Sequence, residues 1–201
     1  KSLKSFKGLD HRHEIFYKKE NKTFINDSKA TSFEATRFAL KNYKNIFWIV
    51  GGLPKVGDKF KTDSVTKNVS KAYIIGKNMK AYENFLRGKV HMKFCRTLNY
   101  AVISIFKDTK NIKREKIVIL LSPAAASYDQ FKNFEERGYE FKKLIKRYVN
   151  KRFWDMENFF NIKNYWRNID KQILSCFLVL FILGVFISFS STSFLADERL
   201  N

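Results

Sequence analysis

At 201 residues, 45% hydrophobic and 16% aromatic, the chain is long enough for one α/β domain with an appendage, and most of it can fold. Its formal net charge of +20 invites a nucleic-acid or anionic-membrane partner. Most of that charge is lysine, however, in a chain also rich in Asn, Ile and Phe, the residues an AT-rich genome encodes most cheaply, so no specific nucleic acid is expected. Cys95 and Cys176 lie far apart and outside any CxxC pattern, which argues against a disulfide scaffold or a zinc site and fits a reducing compartment. The sequence opens on Lys1 with no signal peptide ahead of it, and it reads as the interior of something longer.

In chain order, "HEIFYKKENKTFIND" predicts a hairpin: an amphipathic run from His13 to Lys18, a turn at Glu20-Asn21-Lys22, then Thr23 to Ile25. "TSFEATRFALKNY" places Phe33, Thr36, Ala39 and Leu40 at helical spacing. Thr31 or Ser32 can cap that helix, and Glu34 falls in its first turn. "NIFWIVGG" reads as a buried strand ending in a glycine pair, and "KAYIIGKN" as another. "MKAYENFLRG" is a short helix ending at Gly88. Leu98 to Phe106 is helical, "KIVILLSP" is a further strand, and Gln130 to Val149 is a long amphipathic helix. The chain holds no internal repeat. This alternation predicts an α/β fold, a Rossmann-like, mostly parallel sheet flanked by helices, over residues 1–152.

The composition changes after that. Residues 153–172, "FWDMENFFNIKNYWRNIDKQ", are aromatic and charged without strand alternation and read as an interfacial linker. From Ile173 to Phe189 the sequence carries no charge. At ~1.5 Å rise per residue that run is about the minimum for a bilayer core, and the following residues extend it, so 173–195 is expected to form a transmembrane helix. Arg147, Lys151, Arg152, Lys163, Arg167 and Lys171 precede it. The positive-inside rule then leaves residues 1–152 in the cytoplasm, tethered to the inner membrane.

Four clusters fall at the loop ends: "GLDHR" (8–12), "INDSKAT" (25–31), "GGLPKVGD" (51–58) and "LLSPAAASYDQFKNFEERG" (120–138). A ligand on an open parallel sheet binds at the carboxyl ends of its strands. These clusters offer lysine ammonium groups, Ser and Thr hydroxyls and free amides at helix starts, all suited to oxyanions. Singly, each has a structural explanation: a serine before a helix is usually a cap, a lysine after Gly-Gly is usually solvated, and an aspartate such as Asp27 is most often structural. "GGLPK" also lacks the GxxxxGK[ST] spacing of a nucleotide phosphate loop, so this domain by itself should not cradle a triphosphate.

In order, the four segments strongly resemble the C-terminal domain of the Mur ligases, in particular those that add D-glutamate to UDP-N-acetylmuramoyl-L-alanine. "NDSKAT" and "SPAAASYDQFKNFEERG" are the most specific parts. The resemblance implies a two-step reaction: ATP phosphorylates the substrate carboxylate, and the amino group of D-glutamate attacks the acyl phosphate. It implies that Thr31, Lys55, Ser127 and Phe134 contact D-glutamate, and that Arg12, Asp27 and, more weakly, Lys29 contact the nucleotide. ATP and Mg2+ are the implied cofactors of the intact enzyme. Neither is fully bound by this chain, which carries no catalytic residue or metal ligand of its own. The UDP-binding and ATPase domains would be supplied upstream, so the chain alone should not catalyse ligation. Asp10 stands where the family usually has proline, and Ala125 where many members have cysteine.

"IDKQILSCFLVLFILGVFISFSSTSFLADERLN" is similar to the N-terminus and first transmembrane helix of a SEDS-family cell-division glycosyltransferase, with Met156 as its original start. The chain is thus expected to join the end of one cell-wall protein to the beginning of another. The competing expectation is a basic membrane- or nucleic-acid-associated interaction module without enzyme activity, whose affinity would collapse with salt.

Overall fold

The computed structural model describes residues 8–58, 65–150 and 179–184. The chain divides into two units, Lys1–Asn150 and Lys151–Asn201. In the first unit a hairpin comes first, with β1 (Glu14–Lys19) antiparallel to β2 (Lys22–Asn26). Helix α1 (Phe33–Asn42) and strand β3 (Ile46–Gly51) follow, then β4 (Val69–Ile75), α2 (Met79–Leu86), β5 (Met92–Arg96), α3 (Leu98–Asp108), β6 (Ile117–Leu121) and α4 (Phe134–Asn150). One six-stranded sheet results, in the order β1-β2-β6-β3-β4-β5. Every pairing inside it except β1–β2 is parallel.

The strands behave as two-faced elements. On one face Ile25, Trp48, Val50, Ala72, Ile74, Val118 and Leu120 pack with Phe33 and Leu40 of α1 and Tyr82 and Leu86 of α2. On the other, Phe24 stacks on Phe106 of α3, which also meets Tyr148 of α4. Each of these large side chains removed from water contributes about 1.5–3 kcal/mol. Burial on both faces explains why β3 and β6 are continuous apolar runs.

The structure adds two elements to the sequence reading and shifts the start of a third. β5 was not anticipated from its residues. The 3-10 turn Thr66–Asn68 also had no sequence signal. The last helix begins at Phe134, not Gln130. Residues before it form a tight turn instead, in which the Ser127 carbonyl accepts from the amides of Gln130 (3.0 Å) and Phe131 (2.9 Å). Asn133 then caps α4: its Oδ1 accepts from the Glu136 amide at 2.8 Å, while Glu136 Oε2 accepts from the Lys132 amide at 2.6 Å.

The expected linker 153–172 lies outside the described residues, as does all of the expected membrane helix 173–195 except 179–184, which are helical. Among the described residues no helix is long and apolar enough to cross a membrane.

Candidate functional site

The strand order reverses direction between β3 and β6. From β3 the chain moves outward to β4 and β5, then returns to place β6 on the other side of β3. A crevice opens at the carboxyl ends of strands where connections diverge this way. The loops after β3 and β6 flank it, and the loop after β2 adjoins β6. These are the three loops carrying "GGLPKVGD", "SPAAAS" and "NDSKAT".

The three loops are tied to one another pairwise. Loop 51–58 meets loop 122–129 through a two-bond antiparallel bridge, in which the Leu53 and Ala126 amides each donate to the other's carbonyl at 3.0 Å. The Gly51 amide adds a bond to the Pro123 carbonyl at 2.9 Å. Loop 51–58 meets the loop after β2 through Asp58, whose Oδ2 accepts from the Phe33 amide at 2.8 Å. An orphan donor at the start of α1 is thereby satisfied by a residue from another strand end. The loops after β2 and β6 meet through Asp27 and Ser122. The Ser122 Oγ donates to Asp27 Oδ2 at 2.8 Å, and the Asp27 amide donates to the Leu121 carbonyl at 2.8 Å.

Glycine makes this closeness possible. A Cβ on Gly51 would overlap the Ile75 carbonyl, and one on Gly52 would overlap that of Ala126. Both glycines sit at strongly positive φ, 125° and 135°, where a side chain is strained whatever the space.

The loop before β1 joins from the side. The Lys29 amide donates to the His11 carbonyl at 3.0 Å, and the His13 amide to Asp27 Oδ1 at 3.1 Å. Asn26, wholly buried, donates to Glu14 Oε2 at 3.2 Å and sits 2.8 Å from His11 Nδ1.

Each expected site residue can now be placed. Thr31 is exposed just ahead of α1. The cap of that helix is Ser32, which accepts from the Ala35 amide at 3.3 Å, so the Thr31 hydroxyl is not spent on capping. Lys55 is exposed at the tip of its loop. Ser127 is buried one residue beyond the Leu53–Ala126 bridge. Phe134 opens α4, and its carbonyl accepts from Ser28 Oγ at 2.7 Å. Lys29 Nζ lies 3.7 Å from the centroid of the Phe134 ring, a cation–π contact. Arg12 is exposed. Asp27 is buried, and both of its oxygens already accept a bond. Thus Thr31, Lys55, Ser127, Phe134 and Lys29 lie on loops that are stitched together, whereas Asp27 is first of all a tie between loops. An open depression of about 480 Å³ beside Ser127 is lined by Tyr128, Asp129, Gln130, Phe131, Lys132 and Glu136 and by none of the expected residues.

Electrostatically the rim is unbalanced. Burial pushes the Asp27 carboxyl up, against the bonds from Ser122 and His13 and the nearby Arg12 charge. Burial pushes Arg137 down to about 10. His11 is also held below its ordinary value by burial, with Lys142 adding to the effect. Sequence reading passed over Asn26, Ser28, Ser122 and Arg137. Ser122 and Ser28 stood inside the quoted motifs, but nothing marked them as ties. Arg137 in "FEERGYEF" reads as one more solvated helix charge.

Among the described residues no three His, Cys, Asp or Glu side chains are grouped as a metal site requires.

A mostly parallel sheet with basic, hydroxyl-bearing loops gathered at its switch point belongs to the open α/β class. The relatives sharpen that class. Over 143 residues, 71% of this chain, it is 43% identical to the UDP-N-acetylmuramoylalanine–D-glutamate ligase of Nitrobacter winogradskyi. It is 42% identical over 145 residues to the ligase of the same name from a Wolbachia of Brugia malayi, and 44% identical over 144 residues to that of Brucella abortus. The homology supports a Mur ligase-type domain. The matches cover 31%, 29% and 31% of those three proteins, so the chain spans less than a third of the length of the curated relatives it matches. No protein-family model matches the chain.

Proposed function

We propose that this chain carries the amino-acid-binding part of an ATP-dependent peptidoglycan-precursor ligase, with D-glutamate as the acid it binds. Thr31, Lys55, Ser127 and Phe134 form the D-glutamate side, and Arg12, Asp27 and Lys29 the nucleotide side. The observation that supports this most is the bridge between Leu53 and Ala126, because it brings the lysine loop against the serine loop. Lys55 would neutralise a carboxylate, Thr31 and Ser127 would donate hydroxyls to one, and the Phe134 ring would bound the pocket. In the intact ligase ATP would supply the phosphoryl group that activates the acceptor's carboxylate, and phosphate would leave when the amine attacks. The chain's own part is to hold the amino acid in one orientation, which lowers the entropic barrier to attack. Lys29, resting on Phe134, links the two sides.

The test is calorimetric titration of the full chain with D-glutamate and, separately, L-glutamate. Binding of the D enantiomer is expected, weakened tenfold or more by Lys55→Ala with the thermal midpoint unchanged, since Lys55 is exposed. Binding that ignores Lys55, or that favours neither enantiomer, would overturn the assignment.

The proposal extends to the second unit: residues 173–195 tether the domain to the inner membrane, as the first span of a division glycosyltransferase would. The support is the uncharged run Ile173 to Phe189 with basic residues ahead of it. Carbonate extraction of membranes should leave the chain in the pellet, and release into the supernatant would remove the tether.

A further inference from the structure

Arg137 is 1% exposed, on the first turns of α4. Arginine is almost never buried this completely without a paired acid. Here its hydrogen bonds go to neutral acceptors. Nε donates to Ser28 Oγ at 3.0 Å, and Nη2 donates to the Ser28 carbonyl at 2.8 Å and to the Ala125 carbonyl at 3.0 Å. Ser28 Oγ in turn donates to the Phe134 carbonyl. Nη1 lies 3.5 Å from where a Cβ on Gly52 would stand. Asp129 is the acid that attracts it, yet that carboxylate is engaged with the Lys77 amide at 3.0 Å and makes no ion pair with Arg137. One planar fork therefore touches the loop after β2 and the loop after β6, and it faces Gly52 of the loop after β3.

We propose that Arg137 is the positioning residue of the rim: its guanidinium fixes the "NDSKAT" and "SPAAAS" loops relative to each other and sets a buried positive charge beneath them. What those loops hold rests on the reading given under Proposed function. Given that reading, the charge favours an acidic ligand without touching it. Lysine cannot replace this arginine, since an ammonium lacks the flat fork that reaches Ser28 and Ala125 together.

The experiment uses the full chain and three variants. Arg137→Lys keeps the charge and loses the fork. Arg137→Met loses both. Lys71→Met, which breaks an ion pair with Asp108 in another part of the sheet, controls for general loss of stability. Hydrogen exchange read by mass spectrometry should show residues 26–31 and 122–129 exchanging at least tenfold faster in both Arg137 variants. β3 and β4 should keep their wild-type protection, and Lys71→Met should leave both loops unchanged. Loops as protected as in the wild type, or uniform loss of protection across the sheet, would overturn the positioning role. Titration with D-glutamate is the second readout: affinity should fall at least tenfold in Arg137→Met and less in Arg137→Lys, because lysine restores the charge alone. If the loops loosen but D-glutamate binds both variants as it binds the wild type, the role in ligand binding is overturned. If the wild-type chain itself ignores D-glutamate, the ligand reading falls, and the exchange data alone decide whether Arg137 holds the rim.

Discussion

Two polar clusters of this domain can be set side by side. In the cluster formed by β4 and α3, Lys71 Nζ and the Tyr73 hydroxyl both donate to Asp108 Oδ2 at 2.7 Å. Burial raises the Asp108 carboxyl, but these two bonds and the Lys71 charge outweigh it, and the group is held below the usual carboxylate range. At the rim, Asp27 is held above that range, and Arg137 lies buried among neutral acceptors. The first cluster neutralises itself. The second keeps its anion and its cation on different ties, and at each of them burial outweighs the partners present. A fold selected only for stability has no reason to do this. Under the function proposed above, that imbalance would serve the binding of a charged ligand.

The comparison breaks first at the glycines. Gly51→Ala should cost ~3 kcal/mol or more in urea denaturation, because the new methyl overlaps the neighbouring strand's carbonyl at a φ of 125°. Gly57→Ala, at φ 79° with open space around it, should cost only about 1 kcal/mol. Equal costs would mean that the close approach of β3 and β4 is not what holds the rim shut.

The two aspartates sharpen it next. Asp108→Asn should destabilise by about 1–2 kcal/mol, since it leaves Lys71 without its acid. Asp27→Asn should change stability by less than about 0.5 kcal/mol, or raise it, because a buried charge with a raised pKa is a cost at neutral pH. The sign follows from the shift. A raised carboxyl favours the folded state below its unfolded value, and that advantage is lost as pH rises through the folded value. A depressed one such as Asp108 stabilises above its unfolded value and loses that contribution as pH falls. Equal denaturation midpoints for the two variants at pH 7 would erase the distinction between the clusters.

The smallest effect concerns His11. Its pKa is lowered, so its contribution is complete above its unfolded value of 6.5 and is lost as pH falls through that value towards the folded one. Denaturation midpoints should therefore fall between pH 7.5 and 5.5. His11→Asn, which tolerates the φ of 61° at this position, should flatten that fall. A slope unchanged in the variant would assign the effect to other groups. Glu14 cannot mimic it. Burial raises the Glu14 carboxyl, but the bonds from the His11 amide and Lys142 outweigh that and lower it below 4.5, so its stabilisation is lost only at more acid pH.

Much of this architecture was legible beforehand. The helical spacing of Phe33, Thr36, Ala39 and Leu40 gave α1, and all four are buried. The uncharged runs "IFWIV" and "IVILL" gave β3 and β6, because strands covered on both faces need no polar positions. β5 escaped notice because "MKFCR" is an edge strand with only Cys95 fully buried. Its identity comes from the backbone of β4, with which Met92, Lys93 and Phe94 pair. The α4 start was misplaced because "DQFKNF" suits a helix as well as a turn. The Asn133–Glu136 cap was the available signal.

By itself, then, the sequence determined the alternation of strands and helices, the apolar faces, and which loops carried groups fit for an acidic ligand, since each of these depends on residues near one another in the chain. It could not determine that the loops close on one another. That follows from inserting β6 between β2 and β3, a choice made by packing among segments some ninety residues apart, such as Asp27 and Ser122. Nor could it show that Arg137 is buried, because this helix charge turns inward where Ser28, 109 residues away in the chain, and Ala125 offer it their carbonyls.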